Sequence, residues 1–292
     1  MRILFVTSNR IGDAVLSTGL LDHLIRAYPD CRVTIACGPV AEGVFARMPN
    51  RERTIVMEKR RYSLHWLPLW AACVGTRWDL VVDIRASGLS YLVPTKARAI
   101  MRRRRGHKTA QLAALLSLSP PPAPVAWTAD EDRAVAARLL PDGPPAVALG
   151  PTANWDGKVW PAERFASLYH ALAAGPLQGA RAVIIAGPGD QERAMAAPLL
   201  GLLPEAIDLT GRLTLPQAVA CFQRVTLFVG NDSGLMHLAA SAGAPTLGLF
   251  GPTSAAEYAP AGRRTAVAIS SSARMADLTV EAAFHAATFL LE

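Results

Sequence analysis

Residues 1–29 read Met1-Arg-Ile-Leu-Phe-Val-Thr-Ser-Asn-Arg-Ile-Gly-Asp-Ala-Val-Leu-Ser-Thr-Gly-Leu-Leu-Asp-His-Leu-Ile-Arg-Ala-Tyr-Pro29. This stretch sets the fold class. Arg2–Thr7 is a strand-length run of Ile, Leu, Phe and Val, and a polar turn with Gly12 follows. Asp13–Tyr28 then places Leu16, Leu20 and Leu24 on one helical face at four-residue spacing. The same unit recurs along the chain. Arg32–Ala36, Thr54–Met57, Asp79–Ile84 and Ala97–Met101 read as further strands, then Ala146–Gly150, Arg181–Ala186, Thr226–Gly230 and Thr246–Phe250. Helices are expected over Pro161–Ala174, Gln191–Leu203 and Gly234–Ala242. Continuous apolar strands alternating with helices predict an α/β protein whose parallel sheets are covered on both faces.

Two proline clusters interrupt the pattern, Ser119-Pro-Pro-Pro-Ala-Pro124 and Pro141-Asp-Gly-Pro-Pro145, with a short helix predicted between them at about Asp130–Leu140. Prolines at this density cannot continue a helix or a central strand. The 292 residues suffice for two domains. The division is therefore placed at 1–140 and 141–292, as two doubly wound halves facing a cleft, with ligands at the carboxyl ends of the strands. The last helix, about Thr279–Leu291, is apolar on much of its surface and must pack on something, with a return onto the first domain as the expectation.

At 51% hydrophobic and 18% charged residues, the composition is that of a core-forming chain. Apolar runs such as Leu67 to Gly75 are too short to span a bilayer, and the N-terminal run is a strand rather than a leader peptide. Cys31, Cys37, Cys73 and Cys221 lie far apart, without metal-ligand spacing, and read as buried reduced thiols of a cytoplasmic protein. The net charge of +7 is uneven. Residues 1–145 hold 21 Lys+Arg against 12 Asp+Glu, and residues 146–292 hold 9 against 11. The first half is thus suited to an anionic partner: nucleic acid, a phosphorylated glycolipid or a membrane surface.

Three strand-to-helix turns carry candidate chemistry. In Ser8-Asn-Arg-Ile-Gly-Asp13, Asp13 is either a helix cap or a carboxylate at a strand end, able to take a proton from a sugar hydroxyl. The spacing is not that of a dinucleotide fingerprint. In Gly150-Pro-Thr-Ala-Asn-Trp-Asp-Gly-Lys-Val-Trp-Pro161, Thr152 and Asn154 offer hydrogen bonds and Lys158 a point charge. With the following helix N-terminus these suit a diphosphate. Otherwise Lys158 is a solvated loop lysine and Trp160 a packing residue. In Val229-Gly-Asn-Asp-Ser-Gly-Leu-Met-His237, the backbone at Ser233 and Gly234 makes a second anion cradle, with His237 one turn into the helix. Against this, Asp232 or Ser233 caps the helix and His237 is a core histidine. Asp130-Glu-Asp132 is superficially a metal-binding pattern, but it starts a helix, where acidic side chains complement the dipole. No metal is expected. Arg102, Arg103, Arg104, Arg105 and Lys108 form the densest basic run, inside the basic half.

These turns, in this order, resemble glycosyltransferase family 9, the ADP-heptose:lipopolysaccharide heptosyltransferases. The resemblance rests on Arg10-Ile-Gly-Asp-Ala-Val-Leu-Ser-Thr18, Ala27-Tyr-Pro29, Lys158-Val-Trp-Pro-Ala-Glu-Arg-Phe165, Asn231-Asp-Ser-Gly-Leu-Met-His-Leu-Ala-Ala240, Gly243-Ala-Pro245 and Phe250-Gly-Pro-Thr253, and spans nearly the whole chain. It implies a GT-B fold with two Rossmann-like domains. The donor would bind mainly in the second half and the acceptor in the first, with inversion at the anomeric carbon and neither metal nor cofactor. Carried over by position, Asp13 is the general base, and Thr152, Asn154, Lys158, Asp232, Ser233, Gly234 and His237 hold the nucleotide diphosphate and sugar. Leu213 falls where the family's backbone meets adenine. Asp190 and Glu192 both stand where a carboxylate would meet the ribose. The implied partners are ADP-heptose or another nucleotide-sugar, and an anionic glycolipid or glycan acceptor at the cytoplasmic face of the inner membrane. Peripheral membrane contact would fall to the arginine run.

The chain departs from the family at Leu235-Met236, where many members have Pro, and at Ala153, where a hydroxyl residue is frequent; its first half is also short. Two other classes compete. A non-catalytic nucleotide- or sugar-binding module would keep the second-half cradle without needing Asp13. A nucleic-acid binder would use the basic half, yet no such motif is present and the aromatic residues are not interleaved with the arginines.

Overall fold

The computed structural model describes residues 1–292 except Lys59, Arg60 and Arg103. It divides into two compact units, Met1–Trp127 and Thr128–Glu292. In the first unit the order is β1 (Arg2–Val6), α1 (Ile11–Ala27), β2 (Arg32–Cys37), β3 (Arg51–Val56), α2 (Trp66–Val74), β4 (Trp78–Asp83), α3 (Leu89–Leu92), β5 (Thr95–Ile100) and α4 (Lys108–Ala113). In the second it is α5 (Asp130–Leu139), β6 (Ala146–Gly150), α6 (Ala162–Ala174), β7 (Arg181–Ile184), α7 (Asp190–Leu202), β8 (Ile207–Asp208), α8 (Leu215–Phe222), β9 (Leu227–Asn231), α9 (Gly234–Ser241), β10 (Thr246–Phe250), α10 (Ala255–Tyr258), β11 (Thr265–Ile269) and α11 (Val280–Leu291).

Among the described residues both sheets are wholly parallel, ordered β3-β2-β1-β4-β5 and β11-β10-β9-β6-β7-β8. The α/β architecture expected from the strand–helix alternation, with the two Rossmann-like sheets that the family resemblance implies, is what the chain adopts. Each order reverses once, between β1 and β4 in the first sheet and between β6 and β9 in the second. Loops leaving neighbouring strands in opposite directions open a crevice at such a point.

The central strands are buried on both faces. Ile3, Leu4, Phe5 and Val6 of β1 are fully buried, as are Val147 and Leu149 of β6. Gly150 and Gly230 pair in register at the second crevice. A Cβ on either would sit within about 2.7 Å of the Phe228 ring, so glycine is what lets β6 and β9 close around it.

Several elements escaped the periodicity. Leu67 to Gly75 does not reach across a bilayer, but it forms α2, packed through Leu69 and Cys73 on the first sheet. The strands β8 and β11 and the helix α8 were not marked by their composition. Strand β3 begins at Arg51, ahead of Thr54, because charged side chains tolerate the exposed edge position. The division between units falls ahead of α5, one helix earlier than the second proline cluster suggested. Helix α5 packs on α8, so it belongs with the second unit. The last helix packs on β10, β11 and α6 through Ala283, Ala287 and Leu290, within the second unit's own core.

All four cysteines are free and buried. Burial pushes the thiol of Cys37 up to about 12 and those of Cys73 and Cys221 up to about 11, so these are inert core groups. No helix among the described residues is long and apolar enough to cross a membrane.

Candidate active site

The second crevice joins two of the predicted turns. Lys158, in the loop after β6, points its Nζ at Asp232, after β9, and meets Oδ2 at 2.7 Å. The side chains are only 15% and 8% exposed, which rules out a solvated loop lysine. Asn231 fastens the same two loops, its Oδ1 accepting from the Trp160 backbone N–H at 3.1 Å. Trp160 itself is a packing residue, as its alternative reading held. It is fully buried, edge-on to Phe165, and donates its indole N–H to Leu278.

Ser233 occupies the N-cap position of α9, yet its hydroxyl makes no capping bond. Among the described residues the Oγ is buried without a partner, as are Nδ2 of Asn231 and the hydroxyls of Thr210 and Thr253. These four residues follow or end β8, β9 and β10. A buried polar atom without a partner costs about 1–3 kcal/mol. Such atoms gathered along one carboxyl edge are what a polar ligand with many acceptors and donors would satisfy. Thr152 is buried beside them at the end of β6, Gly234 opens α9, and His237 is buried one turn further in. Asn154 is exposed on the loop.

Toward β7 and β8 the two ribose candidates separate. Glu192 is partly buried and accepts the Gly187 N–H at 3.1 Å, which fixes its carboxylate over the strand end. Asp190 is exposed at the first turn of α7. The loop after β8 is tied in by the Gly211 N–H donating to Ala186, with Gly211 at φ +67°, and carries Leu213, which is partly buried.

The first crevice holds Asp13. The residue lies in the first turn of α1, not at its cap, which is Arg10 and forms no side-chain cap bond. The Asp13 carboxylate instead accepts from Ser8 Oγ at 3.3 Å and is partly exposed, so the cap reading of this residue does not hold. Arg102, Arg104 and Arg105 are exposed just past the edge strand β5, with no carboxylate partner among the described residues, and Arg103 lies outside the described residues. Lys108 opens α4 beside them. Asp130 and Asp132 do what a helix start requires. Asp132 accepts the Ala129 N–H at 2.9 Å and Asp130 pairs with Arg133. An apolar cavity of about 620 Å³ in this unit is walled by Trp66, Leu67, Trp70 and Leu92.

Sequence reasoning passed over Asn231, Thr210 and Thr253. Asn231 sat inside a quoted motif, but nothing in its spacing indicated that it braces a loop 71 residues away.

The family model of glycosyltransferase family 9 (heptosyltransferase) matches residues 81–287. Lipooligosaccharide heptosyltransferase 2 of Haemophilus influenzae is 25% identical, over 89% of this chain and 86% of its own length. The chain also superposes on a glycosyltransferase family 9 crystal structure from Veillonella parvula with a TM-score of 0.81 at 21% identity, covering 99% and 97% of the two chains. ADP-heptose lps heptosyltransferase II of E. coli superposes with a TM-score of 0.78 at 22% identity, over 100% and 98%.

Proposed function

This chain belongs to glycosyltransferase family 9, the heptosyltransferases, and is a glycosyltransferase; from that premise we propose that it transfers a heptose from ADP-heptose to a lipopolysaccharide-core acceptor, with inversion and without a metal. The observation that carries the donor assignment is the buried Lys158–Asp232 pair beside the unpartnered Ser233 hydroxyl. Lysine brings three donors; one meets Asp232 Oδ2 at 2.7 Å and a second reaches the Asp232 backbone carbonyl at 3.5 Å. The ammonium is thereby aimed, with one N–H left for a diphosphate. The Ser233 hydroxyl and the N-terminus of α9 add neutral donors for the same oxygens. Glu192 is the better ribose ligand of the two acidic candidates, because a held carboxylate needs less ordering than the exposed Asp190. Asn154, Thr152, Gly234, His237 and Leu213 complete the donor site.

In the proposed step the acceptor hydroxyl loses its proton to Asp13 while its oxygen bonds the donor's anomeric carbon. The bond from that carbon to the diphosphate oxygen breaks, and ADP leaves with the electron pair. Lys158 and the donors at α9 stabilise the developing charge. Incubation with ADP-heptose and deacylated core oligosaccharide should release ADP and yield a product of inverted anomeric configuration. EDTA should leave the rate intact. ADP release that vanishes with EDTA and returns with magnesium would contradict the metal-free step.

The exposed, carboxylate-free arginines after β5 support a docking role at an anionic membrane surface. A basic residue there contributes about 1 kcal/mol within a Debye length, so two or three engaged at once give roughly 2–3 kcal/mol, enough for reversible attachment. Binding to anionic vesicles is expected to be salt-sensitive and to disappear when Arg102, Arg103, Arg104 and Arg105 are all changed to Gln, with ADP binding retained. Equal co-sedimentation of the two proteins at low salt would reject this role.

A further inference from the structure

We infer that Arg85 recognises an anionic group, a carboxylate or a phosphate, on the acceptor sugar. The inference rests on the acceptor-binding role proposed for the first unit. Arg85 follows β4, directly across the first sheet's crevice from the loop after β1 that leads to Asp13. Its Nη1 donates to Asn9 Oδ1 at 3.0 Å, and Asn9 adjoins Ser8, whose hydroxyl meets Asp13. The guanidinium lies 5.1 Å over the Trp66 ring, a stacking that holds its plane and shields one face from water.

The scaffold beneath Arg85 is unusually determined. Asp83 is fully buried and accepts from the backbone N–H groups of Arg85 and Ser87 and from the hydroxyls of Ser87 and Ser90. Between them Ala86 is held at φ +52°, a left-handed conformation that a residue with a Cβ adopts only when its surroundings impose it. Asn9 packs on the loop after β2. Its Oδ1 and Cα lie so close to Gly38 that a Cβ there would approach within 2.8 Å. Rigid loops on both sides of a crevice thus present one side chain in one place.

That side chain has capacity left over. Asn9 engages one of five guanidinium N–H groups, and no carboxylate pairs with Arg85 among the described residues. Arg98 on β5 is different, since its Nε donates to the carbonyl of Ser90, within α3, and its Nη2 to that of Val93, just after it. A brace for Asn9 alone would need only a neutral donor. An oriented, partly buried fork with free N–H groups fits a planar or tetrahedral oxyanion. The second unit offers the parallel: its crevice also carries a cation held by the neighbouring loop.

Calorimetry on the full chain separates the alternatives. The probes are ADP and the deacylated core oligosaccharide from cells lacking this protein. Arg85→Gln should weaken oligosaccharide binding at least ten-fold and flatten its salt dependence, with ADP affinity and melting temperature unchanged. Arg85→Lys, which keeps the charge but not the fork, should lose less. Repeating the measurement with phosphatase-treated oligosaccharide names the group: a surviving difference between wild type and the Gln variant means a carboxylate, a vanished one a phosphate. Equal oligosaccharide affinity in wild type and Arg85→Gln would overturn the inference while leaving the acceptor role standing. Wild type that binds ADP but no oligosaccharide would overturn both.

Discussion

Changing Asp13 to Asn should lower turnover by roughly 10²–10⁴, the usual contribution of a general base, with ADP affinity and fold unchanged. The substitution keeps the shape and an oxygen able to accept the Ser8 hydroxyl, now seen at 3.3 Å. It removes only the ability to take a proton. Asp13 makes no side-chain cap, so the structural cost is confined to the helix-dipole effect, about 0.3–1 kcal/mol. A purely structural Asp13 makes the opposite forecast of near-normal turnover. Steady-state rates on the Asn variant, beside its melting temperature, decide between the two.

Loss of Lys158 should have the largest effect on donor binding. A hydrogen bond to a charged group contributes about 1.5–3 kcal/mol, so Lys158→Ala should weaken ADP by roughly 10- to 100-fold or more. The structure pushes the expectation to the upper end. Asp232, 8% exposed, would be left as an unpaired carboxylate facing the diphosphate. Removing one partner of a buried pair also destabilises a fold by about 3–5 kcal/mol. The double variant Lys158→Ala, Asp232→Asn should therefore recover melting temperature while ADP binding stays weak. Ser233→Ala, lacking only a neutral donor, should lose a smaller factor at little cost in stability. Unchanged ADP affinity in both Lys158→Ala and Ser233→Ala would remove the donor site from this edge.

How much of this was legible in the linear chain depends on the range of the interaction. Strand β1 and helix α1 announce themselves because their apolar residues repeat at the period of the backbone that carries them. The turns at Ser8–Asp13, Gly150–Pro161 and Asn231–His237 stand out because a parallel strand that ends before a helix must expose polar backbone there. Helix α2 was passed over because Trp66, Leu67 and Trp70 spread its apolar surface around the helix, and Trp70 and Leu67 remain exposed. Strand β8 is two residues long and β11 is partly exposed, so neither leaves a buried run to read.

By itself, then, the sequence determined which chain segments alternate as strand and helix, which turns are polar, and which family the ordered motifs resemble, since each is a property of neighbours along the backbone. Only the tertiary structure decided that Lys158 belongs to Asp232 rather than to solvent, that Ser233 sits at a cap without capping, that Glu192 is held and Asp190 is not, and that Arg85 faces the loop of Asp13. The reason is physical. Strand order, and with it the place where loops diverge, follows from how two whole sheets bury their apolar faces; residues 74 or 76 positions apart become partners only once that burial has set adjacent strands side by side.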